Sequence, residues 1–167
     1  MLLPRLRESA PSRIINVSSG GMYATGLALD DLQYEKGTYD GSRAYARSKR
    51  ALVTLTEMWA EQLKGSGVVV HAMHPGWADT PGVAGSLPAF HAITRRFLRT
   101  AGEGADTITW LAAAPEAAKV TGLFWLDREP HTTHVIPGTD PSKQERQELW
   151  YALARLTDRK KTRTGAR

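Results

Sequence analysis

The segment Tyr45-Ala46-Arg47-Ser48-Lys49 puts a phenol and an ammonium four residues apart, on one face of any helix that carries them. A free phenol, with a pKa of about 10, is a feeble base at neutral pH, and a cation beside it favours the phenolate. Lowering such a pKa by ~3 units takes ~4 kcal/mol of preferential stabilisation, which one lysine in a partly dry site, helped by a bound cationic group, could supply. The chemistry implied is proton transfer at an oxygen atom. Taken alone the pair is weak ground, because many helices carry a half-buried Tyr beside a solvated Lys by chance.

Two other segments change the odds. Ser18-Ser19 follows the β-branched run Ile14-Ile15-Asn16-Val17, so a hydroxyl stands just past the carboxyl end of a strand, where open parallel sheets bind ligands. The bland alternative, that both serines cap a turn, is favoured for Ser18. His74-Pro75-Gly76-Trp77-Ala78-Asp79-Thr80 follows a second such run, Val68 to Met73, and converges on the same edge.

The elements that must position these groups can be read from periodicity. Ile14 to Ser18 reads as a buried strand entering the turn Ser19-Gly20-Gly21. Met1 to Glu8 reads as the last turns of a helix, with Leu2, Leu3 and Leu6 on one side and no cap before it, so the chain is expected to start inside a fold. Residues 22–41 read as a long loop with a helical turn near Asp30 to Gln33. Tyr45, Leu52, Leu55, Trp59 and Leu63 recur at helical steps and predict an amphipathic helix from Ser42 to Lys64, ended by Gly65-Ser66-Gly67. Val68 to Met73 is a second buried strand stopped by Pro75-Gly76. Strand, helix, strand is the order of a parallel sheet. Helices are expected at Pro88 to Arg99 and Glu103 to Ala114, a third strand at Gly122 to Leu126, and a final helix opened by a capping box, Ser142 with Glu145, and carrying Leu149, Leu153 and Leu156. Three parallel strands are few for a doubly wound sheet, so roughly one half is expected to be missing.

Asn16-Val17-Ser18-Ser19, Tyr45-x-x-x-Lys49 and His74-Pro75-Gly76 with Thr80, in that order, resemble the short-chain dehydrogenase/reductase family over residues 12 to 127. The wording from His74 to Gly82 and the long Ser–Tyr loop are more similar to its member-twelve branch and to retinol-dehydrogenase relatives than to its compact bacterial members. The resemblance implies an α/β, Rossmann-like, doubly wound parallel sheet, here lacking its glycine-rich amino-terminal half. Residues 1–156 would form the carboxyl-terminal portion of one such domain. It further implies Tyr45 as general acid/base, Lys49 on the nicotinamide ribose, Ser19 orienting the reacting oxygen, and Pro75, Gly76 and Thr80 bordering the nicotinamide. Asn16, inside the strand, is expected to be structural. The reaction implied is hydride transfer between NADP or NAD and an alcohol/carbonyl pair, with Tyr45 moving the proton. Homo-oligomers through the 42–64 helix are a family habit and hence a further expectation.

The departures are as informative. The family's glycine-rich turn after its first strand, its Asn-Ala-Gly segment and its upstream catalytic asparagine have no counterpart. Gly65-Ser66-Gly67 precedes a strand, and Gly102-Glu103-Gly104 opens a helix with no strand before it, so neither has the context of a phosphate cradle. Without such amides dinucleotide affinity should fall severely. A rival reading is therefore a catalytically dead remnant that persists as a binding or dimerisation module.

Composition excludes other classes. There are no cysteines, hence no disulfides, thiolate metal sites or cysteine nucleophiles, which fits a cytoplasmic location. No run approaches a membrane span. The net charge of +5 is concentrated in a tail where six Lys or Arg face one acid between Arg155 and Arg167; residues 157–167 read as a solvated, disordered end and not a nucleic-acid arm, since no aromatic is interleaved. His71 and His74 sit on a strand and its exit and are not expected to share a metal. His131 and His134 read as surface loop residues, and Glu103, Asp106 and Glu116 as solvated helix charges. Trp77, after Pro75-Gly76, is the one tryptophan expected beside a substrate.

Overall fold

A computed structural model describes residues 2–79 and 98–164, together with Gly85 and Ala92. Its elements are α1 (Leu3–Glu8), β1 (Ser12–Val17), α2 (Gly41–Gln62), β2 (Val68–Met73), α3 (Ala101–Ala113), β3 (Phe124–Leu126), β4 (Glu129–His131) and α4 (Lys143–Thr164). The strands form one sheet in the order β1-β2-β3-β4. β1 and β2 run parallel in full register from Ser12 opposite Val68 to Val17 opposite Met73, β3 adds parallel beside Ala72 and Met73, and β4 closes antiparallel.

The apolar run of β2 reflects burial on both faces. On one side Val68 and Val70 pack with Ala60, Leu63, Leu6 and Trp59 from α2 and α1; on the other Met73 meets Leu111, Ala117 and Trp125 under α3. The second strand, the helices and the parallel core thus follow the periodicity, and the sheet is the expected Rossmann-like α/β arrangement.

Three expectations are corrected. The fourth strand was not foreseen: Asp127 and Arg128, with φ of 54° and 62°, make a two-residue hairpin turn without glycine, so the usual Asn-Gly or Asp-Gly signal was absent. His131 accordingly ends a strand instead of lying in a loop. The stripe read on α2 is buried only in part: Trp59 and Leu63 pack against β2, while Leu52 and Leu55 lie away from that face. Tyr45 is exposed, and the buried positions are Ala46, Arg50, Val53, Thr54, Thr56 and Ala60. The two threonines tolerate burial because their hydroxyls donate to the Arg50 and Leu52 carbonyls one turn back. Leu52 and Leu55 instead line an outer groove of about 430 Å³ shared with Leu27, Leu32, Leu153 and Leu156.

Asp40 caps α2, its Oδ1 accepting the Arg43 amide at 2.8 Å. The Ser142/Glu145 capping box is formed in both directions, at 3.2 and 2.8 Å, and α4 carries the backbone through Thr164, into the segment read as a basic tail. The expected helix at Pro88 to Arg99 lies, apart from Ala92, outside the described residues as far as Phe97; Arg99 itself bridges Ala78 in parallel fashion.

Candidate active site

β1 delivers Ser18 and Ser19 to the carboxyl edge of the sheet, and the two hydroxyls have different fates. Ser18 is 2% exposed; its amide donates to the Met73 carbonyl at 2.7 Å and its Oγ to the Lys49 carbonyl at 3.1 Å, so it ties strand end to helix. Ser19 caps the 3-10 turn Gly20–Ala24, its Oγ accepting the Gly21 amide at 3.2 Å. A hydroxyl used as acceptor in this way keeps its own proton available to donate.

α2 brings Tyr45 and Lys49 together on one face, as the four-residue spacing requires. The Lys49 ammonium lies 5.4 Å from the Tyr45 ring centroid and donates to the Val17 carbonyl at 3.0 Å, which pulls the cation over the strand end. Gly21 stands between serine and tyrosine: a β-carbon there would be 3.7 Å from Ser19 Oγ and 3.9 Å from the Tyr45 ring. The Tyr45 ring, 51% exposed, therefore borders the serine turn while remaining open to solvent. Asn16 donates to Thr56 Oγ1 at 2.8 Å, which locks β1 to α2 and fits the structural part expected for it.

β2 delivers the third segment. Gly76 has φ of 76°, a conformation that favours glycine, and its amide meets His74 Nδ1 at 3.3 Å. The imidazole packs on Gly20, where a β-carbon would lie 2.9 Å from Nε2, so His74 links the serine turn to the Pro75-Gly76 turn. Burial, with the Arg99 guanidinium nearby, holds the His74 pKa below the ordinary histidine value. Trp77 is 48% exposed beside this turn. Thr80, expected near the nicotinamide, lies outside the described residues.

His71 points elsewhere. Its Nδ1 accepts the Trp125 indole N–H at 3.1 Å and its Nε2 meets the Ala117 carbonyl at 3.0 Å, so it is a satisfied core histidine. Among the described residues no group of three His, Asp or Glu side chains could hold a metal. His134 is not the isolated loop residue expected: it is half-buried and lies 3.5 Å from Asp140, which sequence reasoning did not pair with it.

Other residues at this edge escaped the sequence reading. Arg99 makes a bidentate pair with Asp127, Nη1 to Oδ1 and Nη2 to Oδ2, the second at 2.7 Å. Arg128 pairs with Asp106 through Nε at 2.8 Å and through Nη2. Glu103, read as a solvated charge, forms a capping box with Thr100 at the start of α3. The local signals were the Thr100-x-x-Glu103 spacing of a capping box, which went unused, and an Asp-Arg dipeptide just after a strand; the ion pairs themselves had none.

No protein-family model matches the sequence. Curated relatives match most of it. Bovine dehydrogenase/reductase SDR family member 12 is 44% identical over 160 residues, 95% of this chain and 50% of the relative. Human retinol dehydrogenase 13 is 34% identical over 165 residues, 93% of this chain and 49% of the relative. Among solved structures, an uncharacterised protein from Mycobacterium paratuberculosis shares the fold, with a TM-score of 0.65 over 88% of this chain and 50% of that one at 22% identity. The Pseudomonas aeruginosa RhlG/NADP active-site complex is 28% identical, with a TM-score of 0.53 over 74% of this chain and 49% of that one. The mainly parallel sheet with helices packed on both faces is thus a Rossmann-like α/β fold. The chain belongs to the short-chain dehydrogenase/reductase family, and it spans about half the length of the curated relatives it matches.

Proposed function

We propose that this chain carries the proton-transfer side of an NADP- or NAD-dependent oxidoreductase site acting on a small alcohol/carbonyl pair. The observation that supports this best is that the Tyr45 ring borders the Ser19 turn across Gly21 and has the Lys49 ammonium beside it, at the carboxyl edge of a parallel sheet. The donor set suits the nicotinamide ribose end of a dinucleotide: an ammonium already held at the strand end, and a glycine turn at Gly76 that presents backbone without a side chain. Lys49 and Tyr45 would hold the ribose hydroxyls, and Pro75, Gly76 and Thr80 would border the ring. When bound, the nicotinamide supplies or accepts the hydride.

The chain's own groups handle the oxygen. Ser19 Oγ donates a hydrogen bond to the substrate oxygen and orients it. In reduction Tyr45 Oη gives that oxygen its proton; in oxidation it takes the proton from the alcohol. Lys49, one turn away, stabilises the tyrosine oxygen while it carries negative charge. The test is reduced-nicotinamide consumption with a panel of aldehydes and ketones. Tyr45→Phe should lower turnover by about 10²–10⁴-fold, the usual share of general acid–base catalysis. Unchanged turnover in that variant would sink the assignment.

A second reading is supported by the sequence itself, which has no glycine-rich turn after a strand to receive a pyrophosphate. In that reading the chain is a binding or dimerisation module without turnover. A homo-oligomer through the 42–64 helix would have to form beside the groove where α4 and residues 27–39 already overlie Leu52 and Leu55. Among the described residues no helix is long and apolar enough to cross a membrane.

A further inference from the structure

The Pro75-Gly76 turn has little hydrogen bonding of its own, since proline lacks an amide proton and the Gly76 amide has a long bond to His74. Arg99 supplies what the turn lacks. Its guanidinium lies on the side of Gly76 where a side chain would project; a β-carbon there would be 2.7–2.8 Å from Nη1, Cζ and Nε. Its backbone brackets the next residues, the Arg99 amide donating to the Trp77 carbonyl at 2.8 Å and the Asp79 amide to the Arg99 carbonyl at 2.7 Å. Asp127 fixes the guanidinium in plane through two parallel bonds, from the hairpin turn at φ of 54°. Gly104 of α3 completes the packing, with room for a β-carbon only 3.0 Å from that of Ala78.

We propose that Arg99 is a positioning residue: held by Asp127, it clamps the Pro75–Asp79 backbone in the conformation that the nicotinamide meets. The functional part of this rests on the proposed reading of the site. An exposed ion pair contributes little to global stability, so the effect belongs to the local backbone and to cofactor affinity instead. Lysine cannot replace the planar fork, because a point charge can neither bind the carboxylate bidentately nor lie flat on a glycine.

The experiment compares Arg99→Met, Asp127→Asn, the double variant and Arg99→Lys with Asp106→Asn, which breaks the neighbouring pair without touching Gly76. Amide exchange at Gly76 and Asp79 should rise roughly tenfold in Arg99→Met and Asp127→Asn, with the double variant no faster than either single one. Asp106→Asn should leave both amides within twofold of the unsubstituted chain at a similar melting temperature. NADPH titrated into the same proteins should show a Kd raised about tenfold in Arg99→Met, with Arg99→Lys between. Exchange within twofold of the unsubstituted chain in Arg99→Met, or additive effects in the double variant, would overturn the clamp. If the unsubstituted chain binds no NADPH while the exchange pattern holds, the clamp stands as a backbone device and the cofactor reading fails.

Discussion

Both ring nitrogens of His71 are engaged inside the core, and burial lowers the pKa of the imidazole, so the ring is neutral in the folded protein. An unfolded histidine titrates near ~6.5, and below that pH the unfolded chain binds the proton that the native ring refuses. The stability contributed by the neutral ring is thus fully present above about pH 6.5 and is lost progressively as pH falls below it. Replacing His71 with Leu strands the Trp125 N–H and the Ala117 carbonyl, at a cost of roughly 1–3 kcal/mol for each. The acid limb of the stability profile should become shallower without vanishing, since His74 is shifted in the same direction. Urea unfolding at several pH values checks this; an unchanged acid slope in His71→Leu would show that the ring is not the group responsible. Residues at this scale were legible where chemistry and local spacing coincide. Tyr45 and Lys49 meet because four residues is one helical turn, whereas Arg99 and Asp127 are 28 residues apart and nothing local announces the pair.

Among elements, α2 shows the limit of periodicity most clearly. Its position and cap could be read, but two surfaces compete for it, the sheet on one side and α4 with the 27–39 segment on the other, so Leu52 and Leu55 line the outer groove while Val53, Ala60, Trp59 and Leu63 pack toward the sheet. Arg50 is the case that periodicity least explains, 1% exposed, donating to the Thr25 carbonyl at 3.0 Å and the Thr133 carbonyl at 2.7 Å, with no hydrogen-bond partner for Nη2 among the described residues. Burial lowers its pKa, opposed by Glu57 and Tyr23, and hydropathy patterns give no reason to bury it. It joins the serine-side loop to the segment after β4, where Thr133 also donates to Glu57 and Arg146 pairs with Glu57 at 2.7 Å. Arg50→Met relieves a desolvated charge but orphans two carbonyls, so a net loss of roughly 1–3 kcal/mol is expected, with faster amide exchange confined to residues near 25 and 133. Exchange that rises evenly along α2 would mean that Arg50 supports the helix instead of the two segments it bridges.

For the whole molecule, the parallel sheet and its order of elements were legible because β2 is apolar but for His71 and the connection through α2 forces its neighbour β1 to run parallel. The antiparallel β4 was not, because its turn uses two side-chain-bearing residues in left-handed backbone, each held by an ion pair to a distant segment. What the sheet can bind follows from which loops reach its carboxyl edge. Here they are the serine turn, the Gly76 turn and the Asp127 hairpin, which on the proposed reading would meet the ribose and nicotinamide end of a dinucleotide, while these 167 residues hold no glycine-rich helix start after a strand for the pyrophosphate. The phosphates would then contribute little, and this 167-residue chain should bind NADPH with a Kd on the order of 100 µM or weaker. Reduced nicotinamide mononucleotide, which lacks the adenosine and two of the three phosphates of NADPH, should bind within about threefold of NADPH. Fluorescence and calorimetric titrations of both ligands decide the matter. Micromolar NADPH affinity with much weaker mononucleotide binding would require a phosphate site within this chain, whereas equal, weak affinities abolished together by Lys49→Met would locate binding at the tyrosine–lysine edge.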